Sequence, residues 1–139
     1  MKLPTRLRYG LRFLINIAPS YGSGEIISIS QVSKEEDISN KYLEQIISSF
    51  VKAGIIKGSR GKGGGYSIIK DPKNLTVYDI ACSLGEDFTF INCVRNRNSC
   101  KNQPDCGAND LWSEMSNAVT EIFKKHTLFE LVEKHGKPK

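Results

Sequence analysis

The stretch Lys57-Gly-Ser-Arg-Gly-Lys-Gly-Gly-Gly-Tyr66 constrains the fold of this 139-residue chain more tightly than any other. Ile55 and Ile56 run into it, and Tyr66 to Lys70 runs out of it as a second short β-prone segment. Two such segments around a glycine-rich tip predict a β-hairpin. A nucleotide-type phosphate loop is a poor rival, because no glycine stands five residues before Gly61-Lys62 and Gly63, not Ser or Thr, follows.

The residues before the hairpin are helical. Ser39 is a good N-cap for a helix that carries Leu43, Ile46, Ile47, Phe50 and Val51 on its core side and ends at Gly54. A shorter helix from about Ser30 to Asp37 precedes it, and two short helices across a tight turn read as helix-turn-helix. Leu7, Leu11, Leu14, Ile15 and Ala18 recur at helical spacing and give a first amphipathic helix ending near Pro19. After the hairpin, Thr76 and Asp79 form a capping-box pattern that opens a fourth helix ending near Gly85. Met115, Ala118, Val119, Ile122 and Phe123 mark a long helix from Leu111, and Thr127 with Glu130 caps a short last one. Trp112 widens the apolar surface of the long helix beyond what one small domain needs, so a partner chain covering it in a symmetric dimer is expected.

The predicted architecture is therefore mostly α: a winged helix-turn-helix, with a three-helix core and a β-hairpin wing, followed by a long C-terminal dimerisation helix. Its parts are a DNA-binding domain over 1–85, a cysteine-bearing segment over 86–110, and a dimerisation helix and tail over 111–139.

Charge is distributed to match. The chain is +5 overall, with +6 over residues 1–75 and −1 over 76–139. A basic half beside a nearly neutral one suits a nucleic-acid contact on one side, since phosphate attraction dominates sequence-independent binding. Arg6, Arg8 and Arg12 break up the apolar N-terminus, and no run reaches transmembrane length, so a cytoplasmic protein without a membrane partner is expected.

The core pattern of the third helix forces Asn40, Lys41, Glu44, Gln45 and Ser48 outward, with Tyr42 on the border and Ser39 at the cap. Gln pairs well with adenine, Glu accepts from the cytosine amine, and Lys or Tyr holds phosphate oxygens. An ordinary solvated helix face is the alternative. The hairpin tip favours the first reading, because its glycines permit close approach while Arg60 and Lys62 supply the charge that a narrow minor groove attracts.

Cys93, Cys100 and Cys106 fall in one short stretch with gaps of six and five residues, unlike the two-residue gaps of zinc ribbons or thioredoxin-like motifs. In a reducing compartment such a group binds metal or senses redox state, and longer gaps suit an iron-sulfur centre. Arg95, Arg97 and Lys101 would favour the thiolates. A zinc site, or three exposed cysteines in a loop, remains open. Cys82 reads as a buried small hydrophobe among Val77, Ile80, Ala81 and Leu84. An enzyme is not expected: His126 and His135 lie late in the chain, and no acid-base pair or nucleophile motif accompanies the cysteines.

Ile29-Ser-Gln-Val-Ser-Lys34, Ser39-Asn-Lys-Tyr-Leu-Glu-Gln45, Lys52-Ala-Gly54, Arg60-Gly-Lys-Gly-Gly-Gly-Tyr66 and Lys70-Asp-Pro72 together resemble the iron-sulfur cluster regulator family of winged-helix transcription factors, of IscR, NsrR and CymR type. The resemblance covers nearly the whole chain. It implies a dimer that binds a pseudo-palindromic double-stranded operator, with an iron-sulfur cluster, 2Fe-2S or alternatively 4Fe-4S, tuning that binding to iron-sulfur, redox or nitric-oxide status. It gives Tyr42, Glu44 and Gln45 major-groove roles, Arg60 a role at the wing, and Cys93, Cys100 and Cys106 roles as cluster ligands. The IscR-like pattern places a His three residues after the last Cys, where this chain has Asn109, and its first cysteine gap is one residue shorter. NsrR-like members use an acidic residue near the start of the first helix, where this chain has Arg8. Asn109, Asp105, Asp110, an external thiol or a partner-chain residue are the candidates for a fourth ligand. The alternative within the family is a cluster-free CymR-like regulator that answers to a partner protein or to cysteine oxidation; a cluster donor or partner enzyme is a further expected contact.

Overall fold

The computed structural model describes residues 2–88, 101 and 105–136. Helix α1 (Thr5–Ile17) is followed by a 3-10 turn (Ala18–Ser20), α2 (Ile29–Glu36), α3 (Asn40–Lys52), strands β1 (Ile56–Ser59) and β2 (Gly65–Ile68), a second 3-10 turn (Pro72–Asn74), α4 (Val77–Ser83), α5 (Asn109–Lys125) and α6 (Leu128–Lys134). The architecture is a winged helix: α1 to α3 form the three-helix core, and β1 and β2 pair antiparallel as the wing, with Ile56 opposite Ile68 and Ser59 opposite Gly65.

Glycine sets the closeness of the core. Gly10 lies inside α1, where it costs about 1 kcal/mol relative to alanine. A Cβ there would meet Leu84 at 2.9 Å and Phe50 at 3.0 Å, so its absence lets α1 sit directly on α3 and α4. Phe13 stacks on Phe50 across the same seam at 6.3 Å between ring centroids. Leu14, Ile17, Val32, Leu43, Ile46 and Ile80 fill the remaining space, fully buried.

Local chemistry fixes the turns. Between α2 and α3, Asp37 takes the left-handed conformation at φ 54°, and the Ile38 N–H donates to the Ser33 carbonyl at 3.1 Å. Ser39 caps α3 as expected, its Oγ accepting from the Tyr42 N–H at 3.2 Å. Gly54, at φ 73°, turns the chain out of α3, and Ile55 closes beneath it by donating to the Phe50 carbonyl at 3.0 Å. Buried Ser20 ties the end of α1 to the wing by donating to the Ile17 carbonyl and accepting from the Ile68 N–H.

The capping box of Thr76 and Asp79 forms as the sequence predicts, with both reciprocal bonds at 3.1 Å. Thr127 likewise caps α6, accepting from the Glu130 N–H. The last helix returns to the segment around α4: Leu128 donates to the Leu75 carbonyl at 2.8 Å, Val77 donates to the His126 carbonyl at 2.9 Å, and the Leu128 side chain is wholly buried in the common core.

Two expectations about side chains are corrected. Cys82 is exposed, not buried. The buried stripe of α4 is Val77, Ile80, Ala81 and Leu84, and Cys82, one residue past Ala81, is turned about 100° away from it. Val51 is exposed as well, because the chain leaves α3 underneath Phe50 and no described element covers the far edge of the last turn.

Candidate nucleic-acid interface

Helix α3 presents two faces. Leu43, Ile46, Ile47 and Phe50 are buried, and that commitment turns Asn40, Lys41, Glu44, Gln45 and Ser48 to solvent along one continuous strip. Tyr42 is half-buried at its border, its ring meeting Tyr9 of α1 edge-on at 5.6 Å and 85°. The hydroxyl oxygen of Ser39 is taken by the cap, so this residue positions the helix start.

The wing is shaped by backbone sterics. A Cβ on Gly64 would lie 2.6 Å from the Ser59 carbonyl oxygen and 2.8 Å from that of Gly61. A Cβ on Gly65 would collide with the Ile27 carbonyl, because Ile27 and Tyr66 exchange backbone hydrogen bonds of 2.8 and 2.9 Å and run a third short edge against the hairpin. Gly61 and Gly63 adopt φ of 95° and 80°, conformations that favour glycine. Arg60 and Lys62 are both exposed on this tip. Where the tip meets the start of α2, Ser28, Ser30, Arg60, Gly61, Gly64 and Tyr66 line a groove of about 500 Å³. The α2 side of this groove was not singled out by sequence reasoning, although Ser28 at the N-cap, accepting from the Gln31 N–H, is the local signal that could have found it.

The long helix α5 also has two faces. Val119 and Phe123 pack inward, Phe123 meeting Phe88 edge-on at 4.5 Å. Leu111, Met115, Ala118 and Ile122 point outward at spacings of four, three and four, and Leu111 and Ile122 remain 51% and 53% exposed.

Of the three loop cysteines, Cys93 and Cys100 lie outside the described residues. Cys106 is half-buried just ahead of α5, with Asp105 and Asp110 exposed around it. Cysteine sulfur is a soft donor, so the chemistry of this end of the donor set fits a soft metal centre. Asn109 is the first residue of α5 and not its cap, since the helix opens two residues before Leu111; its N–H donates to the Cys106 carbonyl at 3.1 Å. Among the described residues no three His, Cys, Asp or Glu side chains gather at metal-binding distance, and no helix is long and apolar enough to cross a membrane.

A family model described as Rrf2, an iron-dependent transcriptional regulator, matches residues 3–134. The chain belongs to the Rrf2 family. Protein rrf2 of Nitratidesulfovibrio vulgaris is 33% identical over 132 residues, covering 95% of this chain and 87% of that one. The HTH-type transcriptional regulator IscR of Escherichia coli is 29% identical over 132 residues, covering 95% and 80%. Among solved structures, the oxidized form of Staphylococcus aureus CymR superposes with a TM-score of 0.78 at 30% identity, covering 96% of this chain and 97% of that one. Rrf2 relatives of this kind are transcriptional regulators, and this family member is a DNA-binding regulator and not an enzyme.

Proposed function

We propose that this protein is a cytoplasmic homodimer that reads a two-fold symmetric operator with α3 and steadies itself through the wing. The observation that carries the reading is the coincidence, in the basic half of the chain, of an outward strip of base-reading groups on α3 with a cationic tip stripped of side chains. Gln45 and Glu44 offer one donor-acceptor pair and one acceptor to base edges, Tyr42 borders them, and Lys41 is placed for a backbone phosphate. Arg60 and Lys62 supply groove charge from the wing. The outward apolar row on α5 is the surface on which a second copy would pair, setting the distance between two α3 helices. Enrichment of a defined duplex from a random pool is the test; protein that retains all duplexes equally would contradict the reading.

The sensing segment is proposed to hold an iron-sulfur cluster through Cys93, Cys100 and Cys106, with Asn109, Asp105, Asp110 or a group from outside the chain completing the set. Such a cluster supplies redox and nitric-oxide reactivity. The protein's part is to provide thiolates, offset charge with Arg95, Arg97 and Lys101, and join the segment to α5, so that a change there reaches the dimer spacing. Likeness to IscR of E. coli and the thiol-rich donor set support this reading. Asn109 in place of the IscR-type His, and likeness to S. aureus CymR, favour a second reading in which the segment holds no cluster and answers to thiol oxidation or a partner enzyme. Iron and acid-labile sulfide in anaerobically purified protein separate the two. Stoichiometric iron that is lost in Cys100→Ser, with the dimer intact, supports the cluster; colourless, iron-free wild type at every purity supports the second reading.

A further inference from the structure

The helix-turn-helix is held from outside the strip assigned to DNA by side chains of α1. Arg12 on α1 reaches the last residue of α2 twice, its Nε to Glu36 Oε2 at 2.6 Å and its terminal nitrogen to the Glu36 carbonyl at 3.0 Å. Asn16, one turn later on α1, donates to the other carboxylate oxygen at 2.6 Å and to the Arg12 carbonyl at 2.8 Å. The Glu36 side chain is only 12% exposed, with both oxygens engaged, and it sits one residue before the left-handed turn at Asp37. The guanidinium of Arg12 also lies 5.6 Å from the centroid of Tyr9, and Tyr9 is the ring that meets Tyr42 at the start of α3. Arg12 thus joins α1 to the end of α2, and the neighbouring Tyr9 joins α1 to the start of α3, on either side of the turn between them.

We propose that Arg12, Asn16 and Tyr9 are positioning residues which, through Glu36 and Tyr42, set the angle at which α3 meets the duplex and so determine sequence discrimination. The proposal rests on α3 being the reading helix. Apolar packing in the core holds α2 and α3 against α1 but is not directional, whereas a two-armed guanidinium bond and an edge-on ring fix orientation. The Arg12 side chain is still 45% exposed, and ion pairs screened in this way contribute little to stability, so a structural staple alone is a poor account of two polar side chains converging on Glu36. Direct phosphate binding by Arg12 is a poor account too, since Glu36 already engages its guanidinium on two nitrogens.

The two accounts differ in sign when Glu36 is removed. Deleting a carboxylate from a protein that binds a polyanion strengthens binding if electrostatics alone matter, and it would free Arg12 for phosphate. Loss of positioning weakens binding to the preferred duplex only. Full-length wild type, Glu36→Ala, Glu36→Gln, Arg12→Ala and the double Arg12→Ala/Glu36→Ala variant would be titrated by fluorescence anisotropy against the duplex enriched from a random pool and a scrambled duplex of equal length. The expected result is about a tenfold loss on the enriched duplex for Glu36→Ala, with affinity for the scrambled one unchanged or higher. Glu36→Gln, which keeps an acceptor oxygen and serves as the folded control, should recover part of that loss, and the double variant should be no worse than the weaker single. Glu36 variants that bind the enriched duplex as tightly as wild type, or more tightly, overturn the proposal while the reading of α3 stands. A wild type that enriches no duplex overturns both.

Discussion

Ile122→Asp should convert the protein to a monomer without unfolding it. Ile122 lies on the outward row of α5, 53% exposed and in line with Leu111, Met115 and Ala118. Complete burial of an isoleucine stabilises by about 1.5–3 kcal/mol; roughly half of this side chain is already covered, which leaves about 1 kcal/mol per chain. A two-fold interface counts the residue twice, so pairing loses about 2 kcal/mol from the deleted side chains alone. Each aspartate must also lose water at an apolar seam, which adds at least about 1 kcal/mol per chain. The sum, about 4 kcal/mol, is close to a thousandfold in dissociation constant. Sedimentation equilibrium across nanomolar to micromolar protein measures it, with far-UV circular dichroism to show that the helices persist. Retention of the wild-type association constant would refute the assignment of this face, and a variant without helical signal would show that the row stabilises the single chain.

Gly65→Ala should cost about 1–3 kcal/mol, because the added methyl meets the Ile27 backbone and not a movable side chain; an unchanged thermal midpoint would contradict the close approach at the wing. Gln45→Ala should relax base preference at one operator position by about 1–3 kcal/mol, whereas Arg60→Ala should weaken all duplexes alike and reduce the salt slope by about 1; salt-dependent anisotropy distinguishes them, and the opposite pattern would exchange their roles. Burial alone would raise the Glu36 carboxyl, but hydrogen bonds from Asn16 and Arg12 and the charges of Arg12 and His135 outweigh it and hold the group below its ordinary 4.5. Its contribution is therefore complete above the unfolded value and disappears as pH falls through the lower folded one. The stability gap between wild type and Glu36→Gln should be present above the ordinary carboxyl value and close as pH falls below it. Urea midpoints across that range check this, and a gap that widens in acid would reverse the sign.

What was legible in the sequence was local. Ser39, Thr76 and Thr127 could be read as caps because a cap is decided within four residues, and the wing could be read because glycine is the residue that tolerates its backbone. The third helix strip followed from the spacing of Leu43, Ile46, Ile47 and Phe50. The misplaced residues, Cys82 and Val51, are one step from a buried stripe, where a 100° turn decides exposure and composition does not. The apolar residues of α5 read as one broad surface; only the fold separates Val119 and Phe123, which pack against the core, from the row that points outward. The grip of Arg12 on Glu36 joins residues 24 apart on different helices, and no spacing rule reaches that far. Cys93 and Cys100 fall outside the described residues, so the thiol set is carried by the sequence alone.

Hydroxyl-radical footprinting of the enriched duplex tests the central claim most directly. Paired α3 helices with flanking wings predict two equivalent protected half-sites, centred about one helical turn apart, with weaker protection in the minor groove outside them. A single asymmetric patch, or uniform protection that moves with protein concentration, would contradict the account.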